Sequence, residues 1–380
     1  MTEVPEREIR SLVSSLVERE LGPARNRRLA ACGLGMEPAM WKTLADLGLL
    51  GILVPKTYGG VGLGYVAAAV VAGELGKALL TEPFCAVGVL AVHVLVDSGR
   101  DGVARDLLGG LVSGEVVPVV AWQENEFGIG SENVSTTFEP NIAGGSLNGR
   151  KEFVVGGLDA TGFIVLARSK DGVGLYWAPR GSAGIKLEPY ATADGGRHAA
   201  VTFEGVQVAK NGVLAGPGRG LSVLQRGLDV ALIVTSAELC GVASKLFELT
   251  LRFVGQRQQF GRLIGSFQSV QHRASDSAMF LKITEAVIIA ATAALGAGSA
   301  KQVSAMASRV KARSSSTALQ IAKDAVQLHG AMGFTQECDV SLYLNRILVL
   351  SNWLGGSSMH RRRYAALHAQ GPALRKAPTT

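Results

Sequence analysis

The sequence predicts an α+β fold in three parts: a helical N-terminal domain over residues 1–115, a central β domain over 116–215 and a helical C-terminal domain over 216–380. Three observations carry this. Apolar residues recur at helical spacing through the first part. Short β-branched runs broken by turn residues fill the second. Helical periodicity returns at Gly220 and holds to about residue 370.

Taken in order, "EREIRSLVSSLVERE" from Glu6 to Glu20 sets Ile9, Leu12, Val13, Leu16 and Val17 on one helical face. A second helix is expected near Met40–Leu47. "GILVPKTYGGVGLG" then reads as a Gly-Pro loop. Helical stretches follow at Val66–Leu80, Val87–Val96 and Val103–Leu111. "VPVVAW", "FVVGG", "FIVLAR", "GLYWAP" and "AAVTFEGVQV", separated by "NGR", "KDG" and "PRG", read as strands of a small antiparallel sheet or barrel. "SVLQRGLDVALIVTSAELCGVASKLFELTLRFVGQRQQFG" reads as one long helix, and helices are expected around 265–295, 300–329 and 336–353. At "RILVLSNWLGGSSMHRRR", Gly355 and Gly356 break the chain, and the following serines suit the start of another helix.

The chain has 380 residues, 47% hydrophobic and 18% charged, enough to bury a large core. Net charge is +7, but only "RNRR" and "HRRRY" are dense in cations, and aromatics are not interleaved with them. That argues against a nucleic-acid partner and leaves solvated surface charge or an anionic phosphorylated ligand. The four cysteines, Cys32, Cys85, Cys240 and Cys338, have neither paired nor metal-type spacing. Free thiols in a reducing cytoplasm are expected, and no metal site. Residues 1–20 are charged throughout, so no secretory leader is expected. "FCAVGVLAVHVLV" is shorter than the ~20 apolar residues that span a bilayer.

No Walker loop, HExxH or GxSxG occurs. "GVGLG" precedes a helix, but no strand leads into it, which argues against a dinucleotide-binding βαβ unit. Two segments carry more. In "RQQFGRLIGSFQSVQ", Arg257 and Phe260 precede Gly261, a candidate helix C′ glycine, and Gln268 and Gln271 share a face of the next helix. An Arg, an aromatic ring and a Gln converging there could hold a pyrophosphate and an adenine-like ring. An ordinary helix-turn-helix with solvated side chains fits the same pattern. In "DAVQLHGAMGF", Gln327 precedes Gly330, Ala331 and Gly333, which alone could be a helix end.

Together and in this order, these segments resemble the acyl-CoA dehydrogenase family. "LGLLGILVPKTYGGVGLG" is similar to its N-terminal loop, "RQQFG…FQ" to its R-x-x-F-G…Q signature, and "QLHGAMGF" to its Q-x-x-G-G-x-G. The resemblance covers nearly the whole chain. It implies a helical N-terminal domain, a central β-barrel and a C-terminal four-helix bundle, with FAD at a subunit interface. It implies an acyl-CoA thioester as substrate, α,β-desaturated by a glutamate base with hydride passing to flavin, and an electron-transfer flavoprotein as acceptor. By this resemblance Arg257, Phe260, Gly261, Gln268, Gln327, Gly330 and Ala331 contact the FAD adenosine and pyrophosphate, mostly of the neighbouring subunit.

The chain departs from the family where chemistry is done. Counting from Arg346, the base of the family's E-G-T segment falls on Gly355. The alternative base position matches Ala231, and the arginine beside it matches Leu232. The family's Y-x-V-T-E-P-G-A-G-S-D is matched by "WQENEFGIGSE": Gly130 and Ser131 are kept, Asn125 replaces the threonine near the flavin, and Glu124 adds a charge. Its W-I-T becomes Phe153-Val154-Val155, without the hydroxyl. The resemblance is therefore to the non-catalytic subunit of actinobacterial α2β2 enzymes that act on steroid side-chain thioesters. Two alternatives stand beside it: a homomeric enzyme whose base has moved to Asp229, Glu124 or Glu238, and a catalytically silent binding or scaffold protein on the same fold.

Overall fold

A computed structural model describes residues 6–99, 102–125 and 133–369. The N-terminal helices are α1 (Glu6–Glu20), α2 (Pro23–Ala31), α3 (Pro38–Asp46), α4 (Gly64–Lys77), α5 (Val92–Ser98) and α6 (Val103–Val112). On α1 the expected apolar face buries Ile9, Val13 and Leu16, while Leu12 stays exposed. The stretch expected as one helix from Val87 begins instead as a π-helical segment, Cys85–Ala91, buried along its length. The "RNRR" segment lies on α2, where Arg25 is buried between Glu37 and Glu82.

Eight strands form one sheet: β1 (Pro118–Ala121), β2 (Thr137–Asn141), β3 (Gly144–Val155), β4 (Gly162–Ser169), β5 (Gly172–Pro179), β6 (Ile185–Ala191), β7 (Arg197–Ala209) and β8 (Val213–Ala215). Their order is β6-β7-β3-β2-β4-β5-β8, with β1 pairing in parallel with β4. Most neighbours are antiparallel. The two halves of the sheet meet at the single bridge Thr137↔Arg168. A register shift between Lys151 and Val154 turns Phe153 out of β3 at φ 52°, in the left-handed region.

The C-terminal part contains α7 (Gly220–Val254), α8 (Gln268–Ala297), α9 (Ala300–His329), α10 (Asp339–Asn352) and α11 (Ser357–Ala369). α7 is 35 residues, about 52 Å long, and apolar on nearly every side, so it is buried as the central rod against α4, α9, α8 and α10. It stops at Val254, earlier than its apolar pattern implies. The next residues form a hairpin of β9 (Gln258–Gln259) and β10 (Arg262–Leu263). Gly261 is thus not a helix C′ residue. Phe260 (φ 52°) and Gly261 (φ 76°) are the two left-handed residues of the tight hairpin turn.

α7 and α8 are each long and apolar enough to cross a membrane. α7 is mostly buried within the fold. α8 keeps Met279, Ile283 and Ile289 exposed.

α4 and α7 touch through their backbones. A Cβ on Gly241 of α7 would collide with the carbonyl of Gly73, and one on Gly76 with the carbonyl of Glu238. Helix propensity alone favours Ala over Gly by ~1 kcal/mol. Against rigid backbone, overpacking costs ~1–3 kcal/mol or more. Gly241→Ala is therefore expected to destabilise the protein by about 2 kcal/mol, whereas Gly109→Ala on α6, where nothing lies within 4 Å, should stabilise it by about 0.5–1 kcal/mol. Denaturant unfolding of the two variants checks the opposite signs.

Candidate functional site

α10 ends where Leu354 (φ 60°) and Gly355 (φ 97°) take left-handed conformations. Its last carbonyls, which carry the negative end of the helix dipole, are met by side chains from neighbouring helices. The Lys311 ammonium on α9 donates to Leu350 O, and His360 Nε2 bonds Leu354 O at 2.8 Å. The Ser357 hydroxyl donates to Ala312 O at 3.1 Å. Burial pushes Lys311 down to about 7 and His360 to about 4. The Gly-Gly loop is thereby fixed from three sides.

This loop closes one end of a cleft of about 840 Å³ between the sheet and the C-terminal helices. Trp122, Phe153 and Val155 line it from the sheet, and Trp353, Met359 and Arg362 from the helices. Phe153 stacks on Tyr190 with centroids 5.3 Å apart. His198 also lines the cleft; its Nδ1 is buried without a hydrogen-bond partner, and burial lowers its pKa. Nothing in the sequence marked His198, Trp353 or Met359, because their roles come from the packing of distant segments.

Gly355 carries no side chain, and its φ of 97° is a conformation that side-chain-bearing residues rarely adopt. A Cβ there would strike the Met359 methyl and lie 2.9 Å from its sulfur and 3.1 Å from His360 Nε2. Ala231 and Leu232 are fully buried in α7. The three acidic candidates are all engaged. Asp229 is buried, 2.7 Å from Arg363 Nη2, and accepts from Ser304 and Gln225. Glu238 pairs with Arg346 at 2.5 Å, and Arg346 pairs on its other side with Asp194 at 2.7 Å. Glu238 and Arg346 line a narrow cavity of about 40 Å³ together with Cys85 and Val155. Burial raises the Cys85 thiol pKa well above its usual value. Glu124 is 2.6 Å from the wholly buried Lys151 ammonium and accepts from the Ser135 and Thr136 amides. Burial works against its charge, but Lys151 and the two amides overcome that and hold its pKa at about 2. A carboxylate so weakly basic is a poor proton acceptor. Asn125 is exposed, and its backbone carbonyl accepts from Gln123. Gly130 and Ser131 lie outside the described residues.

The second group of expected site residues lies at another place, where α7 ends, the hairpin turns and α9 stops. Arg257, Phe260, Gly261, Gln268, Gln327, Gly330 and Ala331 are all exposed. Phe253 of α7 stacks on His329 of α9 at 4.1 Å, which brings the two helix ends together. Arg257 N bonds Phe253 O, and Ile264 N bonds Arg257 O, so the hairpin is tied to the end of α7. The Phe260 ring is 91% exposed on a strained backbone. Gly330 (φ 63°) has nothing within 4 Å of where a Cβ would be. The Arg257 guanidinium has no ion-pair partner among the described residues. An exposed cation, an exposed ring and bare glycine backbone suit an anionic, aromatic group from outside the chain.

The acyl-CoA dehydrogenase N-terminal domain model matches residues 4–115, and the C-terminal domain model matches residues 218–367. The chain is 30% identical over 364 residues to acyl-CoA dehydrogenase IpdE2 of Mycolicibacterium smegmatis, covering 95% of this chain and 98% of the relative. It is 27% identical to the mitochondrial isovaleryl-CoA dehydrogenase of Solanum tuberosum, covering 85% and 80% respectively. Among solved structures it superimposes on the Tcur3481-Tcur3483 steroid ACAD with a TM-score of 0.86 and 27% identity, covering 96% of this chain and 98% of that one.

The Glu124–Lys151 pair makes a pH prediction. A carboxylate whose pKa falls from 4.5 to about 2 on folding contributes stability above pH 4.5 and loses it as pH falls toward 2. The melting-temperature deficit of Glu124→Gln should therefore be largest near neutral pH and shrink between pH 4.5 and 2. A deficit constant across that range would refute the assignment.

Proposed function

Because the chain belongs to the acyl-CoA dehydrogenase family, we propose that it is the non-catalytic subunit of a heteromeric, FAD-dependent acyl-CoA dehydrogenase. The single observation that carries this reading is that the expected base position is Gly355, a residue without a carboxylate held at a left-handed φ of 97°. The ion pairs that engage Asp229, Glu124 and Glu238 count against a relocated base at those positions. The exposed cluster around Arg257 supports a role in completing another subunit's cofactor site, and the exposed apolar residues of α8 support a protein partner.

In this reading the partner is a second family member carrying the glutamate, in an α2β2 assembly. The substrate is an acyl-CoA thioester, with a steroid side chain favoured by likeness to the steroid ACAD. An electron-transfer flavoprotein re-oxidises the complex in the cytoplasm. The three parts at 1–115, 116–215 and 216–380 act as the N-terminal, β and C-terminal domains. FAD, when bound, supplies the hydride acceptor. Arg257 would neutralise a phosphate, Phe260 would pack on the adenosine, and Gln268 and Gln327 would hydrogen-bond it. Gly330 and Ala331 let the backbone approach closely. On the chain's own side, Val155 offers no hydroxyl to a flavin ring, and no carboxylate faces the cleft among its described lining residues.

Two outcomes are expected. The purified chain with added FAD should not bleach flavin absorbance on adding any acyl-CoA, whereas the complex should. Gly355→Glu should not restore activity to the chain alone, since the new side chain would sit at a left-handed φ and Val155 and Asn125 still depart from the flavin pattern. Bleaching by the chain alone at the rate of the complex would refute the reading. Arg257→Ala should weaken FAD retention in the complex by the worth of one charge-assisted hydrogen bond, about 1.5–3 kcal/mol; unchanged flavin content would count against that residue's role.

A further inference from the structure

We propose that the cleft between Phe153 and Arg362 remains a ligand site in this chain, and that it takes a flat apolar molecule bearing one anionic group. The inference rests on the reading above, because it assigns the cleft an occupant other than a reacting flavin.

Three observations carry it. The first is size and surface. At about 840 Å³ the cleft lies within the range of small-molecule sites. Its walls carry Trp122, Phe153 and Trp353, rings that favour a flat apolar body. The second is strain. Phe153 holds a left-handed φ at a β-bulge, and this puts its ring, 42% exposed, on the cleft wall. A bulky residue persists in that conformation only where the surroundings impose it, and such outliers cluster at binding sites. The third is charge. In the run Arg361-Arg362-Arg363, Arg361 bonds Ser316, and Arg363 bonds Ser308 and Asp229. Arg362 between them lines the cleft, is exposed, and has no hydrogen-bond or ion-pair partner among the described residues. No Asp or Glu stands among the described lining residues to neutralise it.

A matched pair of probes tests this on the full chain: anilinonaphthalene sulfonate, a flat apolar anion, and N-phenylnaphthylamine, the same ring system without the sulfonate. Binding is read as quenching of tryptophan fluorescence. The sulfonate is expected to bind roughly tenfold or more tightly than the neutral amine, the worth of one charge-assisted hydrogen bond. Arg362→Ala should erase that difference while Arg361→Ala keeps it, and Trp353→Ala should weaken both probes. Ile283→Asp, on the exposed face of α8, should change neither. Equal affinity of the two probes, an Arg362→Ala variant indistinguishable from wild type, or loss of binding in Ile283→Asp would each overturn the proposal. FAD is added as a competitor. Failure of the probes with no flavin retained overturns this site alone. Displacement of the sulfonate by FAD, with flavin retained by the chain, overturns both this proposal and the silent-subunit reading.

Discussion

Arg346 is the cation on which the arrangement around the cleft depends. It leaves α10 and lies between Glu238 of α7 and Asp194 of the loop joining β6 to β7, with all three side chains largely buried. Bringing three charges out of water is expensive, and only mutual pairing recovers it. Asp194 is held further by the Thr192 hydroxyl at 2.7 Å and the Gly196 amide at 3.1 Å. One guanidinium therefore fixes the loop that supplies Thr192 and Ala193 to the cleft wall, and ties the sheet to two helices. Arg346 and Glu238 also line the narrow cavity beneath. Glu238 is thus a structural counter-ion, because withdrawing it to accept a proton would leave Arg346 half-paired.

Most of the fold was legible, and the places that were not share a cause. Long periodic helices such as α9 announce themselves because one face is polar and the other buried. α7 was overextended because a helix apolar on all sides has no polar face whose loss would mark its end. The hairpin at Gln258–Leu263 is stabilised by its ties to α7, not by local propensity. The π-helical start at Cys85 depends on what it packs against, so periodicity could not reveal it.

The candidate site was legible by residue type and not by geometry. The sequence could say that Gly355 is not a carboxylate. It could not say that Met359 packs against the Gly355 backbone, since that contact depends on the left-handed turn at Leu354 and the anchoring of α11. Glu124, in the loop after β1, reads as a possible base by type, but Lys151, 27 positions away on β3, lies against it. The exposure of Arg257 and Gln327 was more legible, because their spacing relative to helix ends places them at a surface.

The exposed apolar residues of α8 also bear on how such a chain survives in a cell. Met279, Ile283 and Ile289 face water unless another polypeptide covers them. Copies made in excess of that covering chain would present a ready surface for chaperones, proteases or one another. With the proposed partner as that covering chain, abundance of this polypeptide would follow supply of the partner more closely than its own rate of synthesis.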